Sequence, residues 1–255
     1  MKRHITTAIA LLLTLGMAGT ASAVRLDSLQ LRARVAYSIG ATAPLSLPAT
    51  IRSIDGYSLT PSFLVGIDAT LPLSDRWGIA AGLRFENKGM KGDVSTKAYH
   101  MELVKGDSKI EGLFTGHVSQ EVTQWMLTVP VQATLLLGPR LTLRGGPYLS
   151  LLLSKDFSGI ASDGYLRQGN PTGAKILMGS REGEWATYDF SDDMRVCQFG
   201  VAIGADWQVH RRIGVSADLS WGLTGIFPAG FRTVEQTLYP IYGTVGLFYR
   251  LGGGK

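Results

Sequence analysis

His117-Val118-Ser119, followed by Glu121, is the stretch of this sequence whose residue types could do chemistry. In an extended segment His117, Ser119 and Glu121 share one face. A hydroxyl, an imidazole and a carboxylate in reach of one another are the parts of nucleophilic catalysis, with His as the base. His100 falls in a long connection and His210 in a tight turn, where solvent exposure is expected. A second candidate is the group Asp189, Asp192 and Asp193. Calcium needs six or more oxygens in a defined loop, and no Asp-x-Asp-x-Asp-Gly pattern occurs, so an acidic surface loop is expected. The single cysteine, Cys197, excludes an intramolecular disulfide and a Cys-rich metal site. A polar extension of a strand accounts for the His-x-Ser spacing as well as catalysis does. The expectation is therefore no enzyme, no cofactor and no metal.

The elements that would position these residues follow from bulk properties first. Charged residues make up 18% of the 255 residues, and 32 are glycine, against ~25% charged and ~7% glycine in an average chain. No segment after the N-terminus approaches the ~20 apolar residues of a spanning helix. The N-terminus itself has a basic start, MKRH, an apolar stretch, ITTAIALLLTLGMAG, and an Ala21-Ser22-Ala23 cleavage pattern. This predicts a signal peptide over 1–23 and a mature domain over 24–255. With no cysteine near the cleavage site, no lipoprotein anchor is expected. Loss of Lys2 and Arg3 lowers the formal charge from +5 to +3, too mild a balance to argue for nucleic acid.

Alternation of apolar and polar residues predicts eight strands, at about 29–40, 58–71, 77–89, 121–137, 140–157, 195–209, 212–224 and 236–251. Short turns at 73–76, 138–139 and 210–211 alternate with long connections at 41–57, 90–120, 158–194 and 225–235. Sorting short turns to one side and long loops to the other is the layout of outer-membrane barrels. The fold class expected is all-β: an eight-stranded antiparallel up-and-down transmembrane barrel with short periplasmic turns and long extracellular loops.

The two strand faces then acquire environments. LTLRGGPYLSLLLS, residues 141–154, sets its leucines on one parity and Arg144 on the other. The apolar parities of the strands contain no charged residue, as lipid requires, where a Lys or Arg at the midplane costs about 2–4 kcal/mol. The opposite face carries Asp68, Arg84, Glu86, Arg144, Asp206, Asp218 and Arg250, interspersed with glycines. Both charge signs are present, so a barrel-interior polar cluster of paired ions is expected. An interior that narrow has no room for an aqueous pore. Trp77, Trp207 and Tyr249 fall near the short turns, and Trp125 and Trp221 near the long loops, sketching two interface girdles. Pro147, on the lipid side, removes a ladder donor and predicts a local bulge.

The end of the last strand, Thr244-Val245-Gly246-Leu247-Phe248-Tyr249-Arg250-Leu251, resembles the C-terminal assembly signal of outer-membrane barrels, carried here by Thr244, Gly246, Tyr249 and Leu251. It departs from that pattern by continuing into GlyGlyGlyLys. More broadly, pieces such as LPLSDRWGIAAGLRFENKGM, LTVPVQATLLLGPRLTLRGGPYLSLLL and FGVAIGADWQ resemble the small outer-membrane β-barrels of Bacteroidota, the PorT-like group, over most of 29–251. The resemblance implies an outer-membrane location, contact with outer-membrane lipid, and handling by the barrel-assembly machinery. Some members of that group assist protein secretion. His117, Ser119 and Glu121 also loosely resemble the His-x-Ser pair and Glu of eight-stranded lipid A deacylases, although the surrounding sequence does not. The reading that results is a non-enzymatic barrel with a structural or interaction role, through a protein partner at its extracellular loops or within an outer-membrane assembly. A narrow transport or secretion-associated barrel is the alternative, and a lipid-modifying enzyme the third.

Overall fold

The computed structural model describes residues 29–44, 47–106, 108–231, 233–234 and 237–251, so the expected signal peptide and the terminal GlyGlyGlyLys lie outside the described residues. Among the described residues eleven strands run in chain order: β1 Gln30–Pro44, β2 Ile51–Leu59, β3 Ser62–Pro72, β4 Trp77–Lys105, β5 Ser108–Leu136, β6 Leu141–Gln168, β7 Lys175–Met178, β8 Ala186–Asp189, β9 Cys197–Gln208, β10 Ile213–Gly222 and β11 Leu238–Arg250. Eight of them, β1, β3, β4, β5, β6, β9, β10 and β11, pair antiparallel with their neighbours, and β11 pairs back onto β1. The ring is closed, so every spanning strand has both edges hydrogen-bonded, the condition for a sheet in hydrocarbon.

The outward face explains why these segments take this form. Val35, Val65, Ile67, Leu83, Val131, Leu149, Leu151, Ile203, Leu219, Val245 and Leu247 are all exposed on the outside of the ring. In water that belt would be a severe liability; in lipid it is the solvated surface. The short turns at 73–76, 137–140 and 209–212 cluster at one end, closed by bonds such as Ser74 N–H to the Trp77 carbonyl (3.0 Å) and His210 N–H to the Ile213 carbonyl (2.9 Å).

At the opposite end the expected long connections are themselves folded. Strands β4, β5 and β6 run 29, 29 and 28 residues, where about 9–11 suffice to span a bilayer. Their outer halves, with β2, β7 and β8, occupy most of 41–57, 90–120 and 158–194. There β5 lies between β4 and β6, while β8 pairs with β6 and, at Val104↔Thr187, with β4. The extension therefore curls over itself as a cap.

Three bulges in the ladders joining β4, β5 and β6 shape that cap, one of them between Thr115 and His117 in the β5–β6 ladder. In the β4–β5 ladder the register slips between Thr96 and Tyr99, at Ala98, which has φ 53°. In the β5–β6 ladder Trp125 faces Ser154 but Met126 faces Leu152, leaving Leu153 extra. One extra residue flips the side chains beyond it to the other face. Tyr99, Met101 and Leu103 on β4, and Phe157 and Ala161 on β6, thus turn inward on odd numbers. No bulge occurs at Pro147: Tyr148↔Pro130 and Gly145↔Ala133 keep one register, and the strain is absorbed as a missing stretch of ladder between them.

Candidate functional site: filled lumen and roofed rim

Three tiers of side chains fill the barrel. Nearest the short turns, Asp206 on β9 accepts hydrogen bonds from Arg32 Nη1 (2.8 Å), from Arg34 Nη1 and Nη2 (3.1 and 3.2 Å) and from Arg144 Nη2 (3.0 Å). Asp68 on β3 accepts from Arg34 Nε (2.8 Å) and from Arg84 Nε and Nη2 (3.2 and 3.1 Å). Asp218 on β10 accepts twice from Arg144 Nη2, at 2.8 and 3.0 Å. Gln132 on β5 accepts from Arg144 Nη1 at 2.9 Å, and the Phe248 ring on β11 lies 5.1 Å from Arg32 and 5.7 Å from Arg34. Every strand of the ring contributes a group to this one network. Forked guanidiniums suit the task, since each can bond two carboxylates on different strands.

Glycine makes room for it. A Cβ at Gly82 would lie 2.1 Å from Asp68 Oδ1, and one at Gly204 2.3 Å from Asp218 Oδ1.

The middle tier is mixed. Glu86 does not join the Arg–Asp network: Thr128 Oγ1 donates to it at 2.5 Å and Lys88 Nζ stands 3.4 Å away. Lys88 in turn sits 5.5 Å from the Tyr148 ring and 5.4 Å from that of Tyr242. Arg250 is also outside the network, donating to Gln208 Oε1 at 2.9 Å near the turn end. Arg250 stands opposite Arg32 in the ladder, and it is Arg32 that takes Asp206. The void in this tier is about 30 Å³, enough for about one water molecule, given a share of liquid volume near 30 Å³ each.

The outer tier is apolar. Met101, Leu103, Phe114, Val122, Met126, Phe157, Leu166, Met178, Tyr188 and Phe190 are buried together beneath the cap, with Phe227 and Ile226 from the 225–235 connection. Phe157 meets Phe227 edge-on at 4.9 Å, and Tyr188 stacks on Phe190 at 5.4 Å. Burial pushes the Tyr188 hydroxyl's pKa up. Periodicity could not reveal this core, because bulges on β4 and β6 break the alternation where it begins.

The sequence-level candidates for chemistry sit on the outside of the cap. His117 Nδ1 is 3.3 Å from Asp55 Oδ2 on β2, and its Nε2 is 3.8 Å from Asp93 Oδ1 on β4. Ser53 and Ser95 both donate to Asp55 at 2.5 Å. These two bonds, then His117, hold the Asp55 carboxyl below the usual range. Glu121 pairs with Lys91 at 2.8 Å, and Ser119 stands opposite Asp93 in the ladder. The structure thus joins His117 to the carboxylates of β2 and β4 rather than to Ser119 and Glu121. His210 is exposed in its turn, and His100 lies 3.2 Å from Glu111. Asp189 accepts from Ser191 N–H at 2.9 Å, as a turn residue does. Among the described residues no cluster of His, Cys, Asp or Glu has the make-up of a metal site.

Trp77, Trp207 and Tyr249 project outward at the turn end, and Trp221 near the other rim. Trp125 packs against Phe63 and Phe85, each at 5.4 Å. In the last strand Thr244 points into the lumen and bonds Ser38 at 2.8 Å, Gly246 abuts Ala36, and Tyr249 and Leu251 point out.

Comparison with known proteins agrees with this architecture. The family model described as outer membrane protein beta-barrel domain matches residues 20–228, well over half of the chain. Among solved structures, Ail, the attachment invasion locus protein of Yersinia pestis, is similar at 10% identity and TM-score 0.36, covering 88% of this chain and 97% of that one. Neisserial surface protein A is similar at 11% identity and TM-score 0.35, with coverage of 88% and 97%. The outer membrane protein OprG from Pseudomonas aeruginosa is similar at 9% identity and TM-score 0.33, with coverage of 88% and 96%. No curated protein sequence matches the chain. The family assignment rests on the family model.

Proposed function

From the premise that the chain belongs to the outer membrane protein beta-barrel domain family, we propose a non-enzymatic interaction role, in which the barrel anchors a folded extracellular cap that engages a protein partner or an outer-membrane assembly. One observation carries this reading. About half the length of β4, β5 and β6 is spent outside the spanning ring, on a paired, apolar-cored cap that a simple anchor would not need. A preordered surface loses little conformational freedom on binding, which favours recognition. The network across the lumen argues against the alternative of a narrow transport barrel, because each guanidinium is tied to at least one carboxylate. The third reading, a lipid-modifying enzyme, would require His117 to address Ser119, and it faces Asp55 and Asp93 instead.

The likeness of residues 29–251 to PorT-like barrels supports placing the chain in that narrower group, and the Thr244–Leu251 pattern supports recognition by the assembly machinery. Export by a signal peptide over 1–23 is part of the same proposal. The test is in-cell crosslinking of the tagged protein, purification from outer membranes and identification of the co-purifying chains. A reproducible partner lost when 158–194 is shortened is the expected result; no partner above background overturns the interaction role.

A further inference from the structure

In the wall of the molecule, adjacent strands part beside β1. β1 and β3 are paired from Gln30↔Thr70 up to Ser38↔Ser62, and there the ladder ends. Beyond it the chain continues as β1 on one side and β2 on the other, and β2 pairs with β4 instead. The parted strands are joined by side chains. The Tyr57 hydroxyl donates to the Gly40 carbonyl, and the Thr42 N–H, which a neighbouring strand would normally satisfy, donates to the Met90 sulfur at 3.1 Å. A thioether is a weak acceptor, so this edge is poorly closed.

Behind the gap lies a cavity of about 180 Å³. Its inner wall is Met90, Met101, Val118 and Phe157, and its mouth is framed by Ile54 and Tyr57, which are 60% and 45% exposed. A protein cavity of about 150 Å³ with such a lining stays dry and takes up benzene. The space is therefore suited to hydrocarbon and poorly suited to water or to polar solutes. Outside, the mouth continues into the lipid-facing belt: Val35, Tyr37 and Ile39 run up the outer face of β1 to the point where the strands separate, and Phe63 lies beside them on β3. Open strand edges are not tolerated within the hydrocarbon itself, which puts the mouth at the interface, within reach of chain ends rather than amid them.

We propose that this cavity is a binding site for the end of a single unbranched hydrocarbon chain, entering sideways between β1 and β2 from the outer leaflet. Its volume matches a segment of roughly six carbons, by comparison with the benzene-binding case. The chain end belongs either to a membrane lipid or to a free fatty acid, and the two share this chemistry. The site does not depend on the partner reading, since it uses only the rim.

The experiment uses the full-length protein in lipid nanodiscs and a sixteen-carbon fatty acid bearing a photoreactive diazirine at its chain terminus, with adducts mapped by mass spectrometry. Adducts are expected on the β4 and β5 segments around Met90, Met101 and Val118, in addition to those on the belt around Leu149 and Ile203. Val94→Trp fills the cavity, and Ile54→Glu places a charge at the exposed mouth without touching the packing. Each is expected to lower the cavity adducts at least fivefold and leave the belt adducts unchanged. Because Val94→Trp is the variant that could misfold, the shift in gel mobility between heated and unheated samples is read for both. A phospholipid carrying the same diazirine at one chain end separates the sources: cavity adducts from it assign the site to membrane lipid, and adducts from the fatty acid alone assign it to a free amphiphile. Adducts confined to the belt with both probes, or cavity adducts unaltered in a folded Ile54→Glu barrel, overturn the proposal.

Discussion

Asp206 is the residue on which the lumen turns. It is buried, and it accepts from three arginines placed on β1 and β6. Arg32, Arg34, Arg84 and Arg144 face three carboxylates, Asp68, Asp206 and Asp218, so the network already carries one more positive than negative charge. Removing Asp206 would leave several buried guanidiniums under-neutralised. Breaking a buried pair from one side costs about 3–5 kcal/mol, and Asp206→Ala is expected to lower barrel stability by at least that, measured by urea unfolding in lipid vesicles. A second residue, Asp55, gives a pH prediction. Its carboxyl is held lower in the folded chain than in the unfolded one, chiefly by Ser53 and Ser95, with His117 adding to the hold. Stability of that kind is present above the ordinary carboxylate value and is lost as pH falls through the lowered folded value. Protection of the β2 amides against exchange is expected to hold from neutral pH to about 4 and to drop below it. In Asp55→Asn, protection should be low throughout, with no acid step.

Among the elements, β4 shows what a single bulge does. Ala98 holds φ 53°, a left-handed conformation that costs a residue with a Cβ about 1–2 kcal/mol. The side chain of Thr115 helps to hold it, accepting from the Ala98 N–H at 2.9 Å. Ala98→Gly is expected to relieve the strain and stabilise the outer part of the β4–β5 hairpin by about 1 kcal/mol, read as slower exchange at Tyr99, Met101 and Leu103. The bulge at Leu153 does the same work on β6 without a positive φ. Deleting Leu153 removes the extra residue and leaves Phe157 and Ala161 facing inward on unbroken alternation. The expected outcome is a cap as resistant to limited proteolysis in intact vesicles as the spanning strands; a fragment lacking the cap would show that the bulge itself is needed.

The whole molecule is a membrane ring closed at both levels, by ions below and by an apolar roof above. Ion-paired Arg32, Arg34, Arg84 and Arg144 fill the lumen nearest the turns, and the void in the tier above them is about 30 Å³. Purified protein in planar bilayers is therefore expected to show no stepwise conductance at moderate voltage. Steps of a defined size would mean that the network opens, and would return the transport alternative to the front. The outer face of the cap carries His117, Asp55, Asp93, Lys91 and Glu121 as a continuous polar patch across β2, β4 and β5.

What the sequence by itself determined about this protein is the set of properties that repeat every second residue. Leu149, Leu151, Ile203 and Leu219 face out because their parity contains no charge, and the short turns cluster because strand lengths and turn residues are local. Eight strands, their antiparallel order and the ends on which turns lie were legible from that pattern. Only the tertiary structure decided how the inward charges divide. Arg32 and Asp206 lie 174 positions apart and meet only because the ring closes, whereas Glu86 and Arg250, on the same parity, pair elsewhere. Nor could the pattern show the cap. A bulge is one residue long, its signal is a lapse in alternation, and that lapse reads as the end of a strand. It became the start of a second, apolar core because the partner strands continued alongside and buried the flipped face.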